Sequence, residues 1–291
     1  PMVVKVTVVA VASGHTFSGW DNYIVPETAP DYQIDYINER TGTTVASTDE
    51  YSYNQTSWTP GTNGYLALTP GQDVYFRKKL TPALVQHLVV PARPAAPSFT
   101  INFTQEKTAE NIPATVQFAN NAGFSGAQDG TGAQVNITPG GSLYFRYKPS
   151  ASAFISPAFA LTAPARPTIT SSVTSPTNLS PFAVDINFPS AVTGFESSDL
   201  MVTNGSVASI TGTYTASITP AAIGQVGITV KANAVNESNF ASTAYVVEYS
   251  GPTGLEDNDE GLFRLYPTVS ESYIILESKA HPDGSYQIFD A

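Results

Sequence analysis

The chain has 291 residues, a formal charge of −11 at neutral pH and only 13% charged side chains. That balance argues against nucleic acid or anionic lipid as a partner, because both need clustered Lys and Arg. The absence of cysteine excludes disulfides, thiolate chemistry and Cys-based zinc sites, and no run of 18 apolar residues is present to cross a membrane as a helix.

The length predicts two to four domains. With 21 Gly and 22 Pro among abundant Thr, Ser, Asn and Val, the composition is that of a β-rich, turn-punctuated chain. At the N-terminus, Val4, Val6 and Val8 alternate with Lys5 and Thr7, which predicts a strand rather than a signal peptide. Residues 1–28 read as the end of a preceding β repeat.

The next elements occur twice. "APDYQIDYINERT" (Ala29–Thr41) matches "APSFTINFTQEKT" (Ala96–Thr108), and "LTPGQDVYFRKK" (Leu68–Lys79) matches "ITPGGSLYFRYK" (Ile137–Lys148). "PARP" at Pro91–Pro94 returns at Pro164–Pro167. The offset drifts from 67 through 69 to 73 residues, as expected if short insertions fall in loops. Tyr32, Ile34 and Tyr36 alternate with Gln33 and Asp35, and Phe99, Ile101 and Phe103 alternate with Thr100 and Asn102. This period of two predicts strands with one apolar face. Each Thr-Pro-Gly marks a turn before the next strand. Two β-sandwich repeats are therefore expected, over 29–95 and 96–167.

Alternating strands also appear at Phe182–Phe188, Thr213–Pro220, Val226–Ala232 and Ser242–Tyr249, so 168–250 is expected to form a further sandwich. Pro-rich junctions favour stiff, extended backbone. The predicted fold class is all-β, a linear array of small antiparallel sandwiches of the Ig or fibronectin III-like kind. Residues 251–291 begin with an acidic linker.

Candidate sites are few. His15, His87 and His281 are far apart, and no zinc-protease or serine-hydrolase motif is present. Glu39, Asp49, Glu50 and Glu106 are carboxylates of the type used in glycoside hydrolysis, but they fall at apparent strand ends or in loops, where they are expected to face solvent. Asp257, Asp259 and Gly261 have a loose calcium-loop rhythm without the distant Glu of an EF-hand. Arg77–Lys79 and Arg146–Lys148 are expected on exposed strand faces or edges, where charge blocks unwanted pairing. The aromatic residues Trp20, Tyr51, Tyr53 and Trp58 are the candidate ligand contacts, as a platform for sugar rings. In the repeat alignment Trp58 falls near Phe124 and Tyr53 near Phe118, which favours a packing role. No catalytic, metal or cofactor site is expected.

Three segments carry resemblances. "TNLSPFAVDINF", "AVTGFESSDLMVTNGSV" and "TYTASITP…GQVGITV", within Ser171–Ser242, resemble the bacterial Ig-like domains of secreted adhesins. "AVNESNFAS" departs from an Asp- and Gly-rich turn frequent in that family, which weakens the case for calcium there. Leu-Thr-Pro-Gly followed by a Tyr-Phe-Arg strand is similar to fibronectin type III-like repeats of bacterial surface proteins. "FRLYP", "SESYIILE" and "YQIFDA" resemble the C-terminal sorting domain of type IX secretion in Bacteroidetes, with Thr268 and Val269 where many relatives have Asn-Pro, and the resemblance implies that 251–291 is an acidic linker plus a truncated sorting domain. These resemblances imply export through the type IX machinery and residence outside the cell or on the outer membrane. They also imply a non-catalytic adhesin or its stalk, with a host or matrix glycan or protein as partner. The other reading is that of accessory or carbohydrate-binding modules of a secreted glycan-degrading enzyme whose catalytic domain lies outside this chain.

Overall fold

The computed structural model describes residues 27–252, together with the backbone of Glu256–Asp257 and Phe263–Arg264. The expected N-terminal strand, Trp20, His15, His281 and most of the sorting-domain resemblance lie outside the described residues. The chain is all-β, built from small antiparallel sheets. It divides into two compact units that meet in sequence at Ala165 and Arg166.

The first unit holds both repeats. In the first, β1 (Ile34–Asp35) pairs with β2 (Arg40–Thr41). A second layer contains β3 (Asp49–Ser52), β4 (Thr59–Pro60), β5 (Val74–Lys78) and β6 (Thr81–Leu88), in the order β4-β3-β5-β6. The second repeat has the same plan. β7 (Ile101–Asn102) pairs with β8 (Lys107–Thr108), and β9 (Val116–Ala119), β10 (Gln128–Asp129), β11 (Ser142–Tyr147) and β12 (Phe159–Thr162) run β10-β9-β11-β12. Between the layers sit Tyr32, Val45, Leu68, Val74 and Phe76 in the first repeat, and Phe99, Ile112, Val116 and Phe145 in the second.

Backbone and side-chain details recur in register. The buried hydroxyls of Thr41 and Thr108 accept from the N–H of Leu66 and Val135. Gly61 and Gly130 are pressed against backbone. A Cβ at either would lie 2.1 or 2.2 Å from the carbonyl oxygen of Ala46 or Pro113. Only glycine fits this approach.

The repeats differ where the sequence offset grows. Between β11 and β12 the chain carries an insertion relative to the β5–β6 hairpin, and it bears Phe154. That ring is fully buried in the core of the first repeat, with its centroid 4.9 Å from that of Tyr36. Arg93, in the junction between repeats, clamps Glu39 with two bonds of 2.6 Å and donates to the Ile155 carbonyl at 3.0 Å. The junction is thus held by a plug and a bidentate ion pair as well as by stiff proline backbone.

The second unit is a two-layer sandwich. One sheet runs β13 (Thr168–Thr170), β14 (Phe182–Asn187), β17 (Thr215–Pro220) and β16 (Gly205–Thr211). The other runs β15 (Leu200–Thr203), β18 (Gly224–Val230) and β19 (Tyr245–Tyr249). In chain order these sheets are first-second-fifth-fourth and third-sixth-seventh, the Ig constant-type topology. Strict alternation makes the core: Phe182, Val184 and Ile186 on β14 face Val226, Ile228 and Val230 on β18. The segment "AVNESNFAS" is held by buried Asn239. Its side-chain amide donates to the Lys231 and Phe240 carbonyls and accepts from the Ala234 N–H. Further on, β20 (Glu256–Asp257) pairs with β21 (Phe263–Arg264).

Candidate functional site

The expected aromatic cluster is split between the two faces of the sheet. Tyr51 points to the core side, packing near Phe76, and Tyr53 meets it edge-on at 5.9 Å. Burial pushes the Tyr53 phenol pKa up. Trp58 lies instead against the outer face of the sheet, under the Arg77 guanidinium at 3.8 Å, and its Nε1 donates to the Gln55 carbonyl. Arg77 in turn bonds Glu50 at 2.6 Å.

The register corrects one expected equivalence. Tyr51 stands opposite Phe76 as Phe118 stands opposite Phe145, so Tyr51, not Tyr53, is the counterpart of Phe118. The place of Tyr53 is taken by Asn120. Trp58 and Phe124 do share a role, since Arg146 covers the Phe124 ring at 3.9 Å and bonds Gln117 at 2.6 Å. Burial lowers the Arg146 pKa.

The basic runs do not lie on edges. β5 and β11 are inner strands of their sheets. Lys79 donates to the Ser47 carbonyl, and Lys148 pairs with Asp129 at 2.8 Å. A sequence pattern shows which residues alternate, but not which strands pair on both sides.

Asp49, Glu50 and Glu39 differ from the expected solvent-facing carboxylates. Asp49 is buried, not solvent-facing, and accepts from the Tyr32 hydroxyl at 2.8 Å. Glu50 and Glu39 are engaged with Arg77 and Arg93. His87 stacks on Tyr75 with centroids 4.5 Å apart, and its Nε2 lies 2.7 Å from Asp73. The Asp73 carboxyl is held below the usual range, first by the Val90 N–H and then by His87. Among the described residues, no group of three or more His, Asp or Glu side chains has the arrangement of a metal site.

The sequence reading missed a cleft in the second repeat. It has a volume of 340 Å³ and opens between the β9–β10 edge and the facing segment 131–136. Phe118, Gln128, Asp129, Gln134 and Asn136 border it. A smaller recess of 180 Å³ shares Asn136 and adds Asn120, Thr138 and Ser142. Gln134 donates to the Ala109 carbonyl, whereas the Gln128 and Asn136 side chains bond no described residue and are exposed. The signal was present in the repeat alignment. Gln128, Gln134 and Asn136 stand where the first repeat has Thr59, Tyr65 and Ala67.

No curated protein matches the chain. Among solved structures, it is similar to the surface layer protein SbsC, domains 1–6, at 14% identity and a TM-score of 0.19. That similarity covers 76% of this chain and 39% of that one. Residues 161–249 match the family model of the bacterial Ig-like domain, the sandwich of the second unit.

Proposed function

We propose that this chain is a non-catalytic part of an exported cell-surface protein, an adhesin or its stalk, in which tandem β-sandwiches space and present a binding surface. Its modules are the end of a preceding repeat (1–28), sandwiches over 29–95 and 96–167, an Ig-like domain over 168–250 and a linker with sorting segment over 251–291. The observation that carries this reading is where the reactive side-chain types go. Asp49, Glu50 and Glu39 are each taken up by Tyr32, Arg77 or Arg93 in packing or at the repeat junction. The Ig-like match over 161–249 supports it, since fold alone does not set function but this fold is a common carrier of binding surfaces. The sorting-domain resemblance adds the type IX machinery as the export partner. A host or matrix glycan or protein is the proposed ligand.

The test is a screen of residues 1–250 against glycan and matrix-protein arrays, with and without calcium, beside a panel of glycan and peptide substrates. Reproducible binding without turnover is expected. Hydrolysis at an enzyme-like rate would overturn the reading.

A further inference from the structure

We propose that the cleft of the second repeat is a binding site for a neutral saccharide, with one or two sugar rings held between Phe118 and the amides of Gln128 and Asn136. This deepens the surface-binding reading and rests on it for biological meaning, though not for its test.

The two repeats share most of their framework contacts, so a set of surface residues that changes together between them without making a new packing contact marks a place for another role. Backbone contacts, buried threonines, close-packed glycines and the arginine-over-aromatic pairs are shared. At the cleft the copies diverge together. Tyr53, Thr59, Tyr65 and Ala67 become Asn120, Gln128, Gln134 and Asn136. In the first repeat Tyr53 lies against the edge of Tyr51, and Arg40 covers the Tyr65 ring at 3.7 Å. In the second, the Phe118 ring borders open space.

The chemistry that remains is specific. A side-chain amide offers donors and an acceptor in one plane, which suits the neighbouring hydroxyls of a sugar ring. Gln128 and Asn136 keep that capacity unspent. Phe118 is half-buried, with its ring 6.1 Å from that of Phe145, and the side it leaves to the cleft offers an apolar surface for the sugar's C–H face. Asn120, Thr138 and Ser142 continue the polar track into the adjoining recess. The volume of 340 Å³ lies at the small end of ligand sites, about 300–1,000 Å³. Charge argues for a neutral sugar, because Lys148 is already paired with Asp129 and the chain carries −11 overall. A peptide fits less well. The bordering edge strand β10 is two residues long, too short to template an added strand.

The experiment is saturation-transfer NMR on the whole 291-residue chain with glucose, galactose, mannose, N-acetylglucosamine, lactose and cellobiose as probes. Transfer to at least one probe is expected. Gln128→Ala with Asn136→Ala should weaken it at least tenfold at an unchanged thermal midpoint, since both side chains are exposed and bond no described residue. Asn120→Tyr with Gln134→Tyr, which imports the first repeat's residues, should abolish it, and Trp58→Ala should not alter it. No transfer to any probe, or transfer that survives the Gln128 and Asn136 changes, would overturn the site. Surface display is read independently by labelling intact cells, so a blank saccharide panel on a surface-displayed protein sinks the cleft alone.

Discussion

Tyr32, Ala46 and Asp49 form one hydrogen-bonded group in the first repeat: the Tyr32 hydroxyl donates to Asp49 and accepts from the Ala46 N–H. The same three places in the second repeat hold Phe99, Pro113 and Val116. Every donor and acceptor has been removed at once, including the backbone N–H that proline lacks. This pairing of changes identifies buried Asp49 as a packing group. Tyr32→Phe alone should cost about 1–3 kcal/mol, because it takes the Tyr32 hydroxyl from one oxygen of a buried carboxylate, whose other oxygen accepts from Thr48, and from the Ala46 N–H. Tyr32→Phe with Ala46→Pro and Asp49→Val should recover most of that loss in denaturant unfolding. A triple variant no more stable than the single one would show that the group has another role. Acid sensitivity also belongs to single residues. The carboxyls of Asp35, Asp73 and Glu237 are held below their ordinary values by Asn38, by the Val90 N–H and His87, and by Thr193. A depressed folded pKa contributes stability above the unfolded value, near 4, and loses it as pH falls through the folded one. The thermal midpoint should therefore fall below about pH 4, and less so in Glu237→Gln. A midpoint that rises on acidification would contradict this assignment.

At the scale of elements, much of the architecture was legible. Alternation placed the strands at Val74 and Phe182, whereas the run 32–36 forms a strand only at Ile34–Asp35, and Thr-Pro-Gly placed the turns before β5 and β11. Three things were not legible. Aromatic character alone matches Tyr53 with Phe118, but register depends on pairing partners and gives that place to Tyr51. The basic runs keep to the outer face, but not to edges: β5 and β11 are paired on both sides, which alternation alone does not carry. The cleft escaped notice because its residues are ordinary polar ones, and only their spatial grouping makes a site. Close approach is a property of elements too. Gly130→Ala would drive a Cβ to 2.2 Å from the Pro113 carbonyl oxygen. A loss of about 1–3 kcal/mol in thermal or denaturant unfolding is expected, in line with other overpacking changes. An unperturbed variant would mean the β10 edge can move away.

At the scale of the whole molecule, tiling alone does not explain the first unit. Phe154 belongs by sequence to the second repeat and by packing to the core of the first. Small sandwiches have little core of their own, so a shared side chain makes each stability depend on the neighbour. Phe154→Ala should destabilise the first repeat by about 3–5 kcal/mol, read as faster amide exchange along β5. Exchange that changes only in the second repeat would contradict the coupling. The proposed role requires that this molecule work outside the cell. The most direct measurement is antibody labelling and protease shaving of intact source cells against lysed ones. Labelling and cleavage on intact cells are expected. Signal that appears only after lysis would contradict that role.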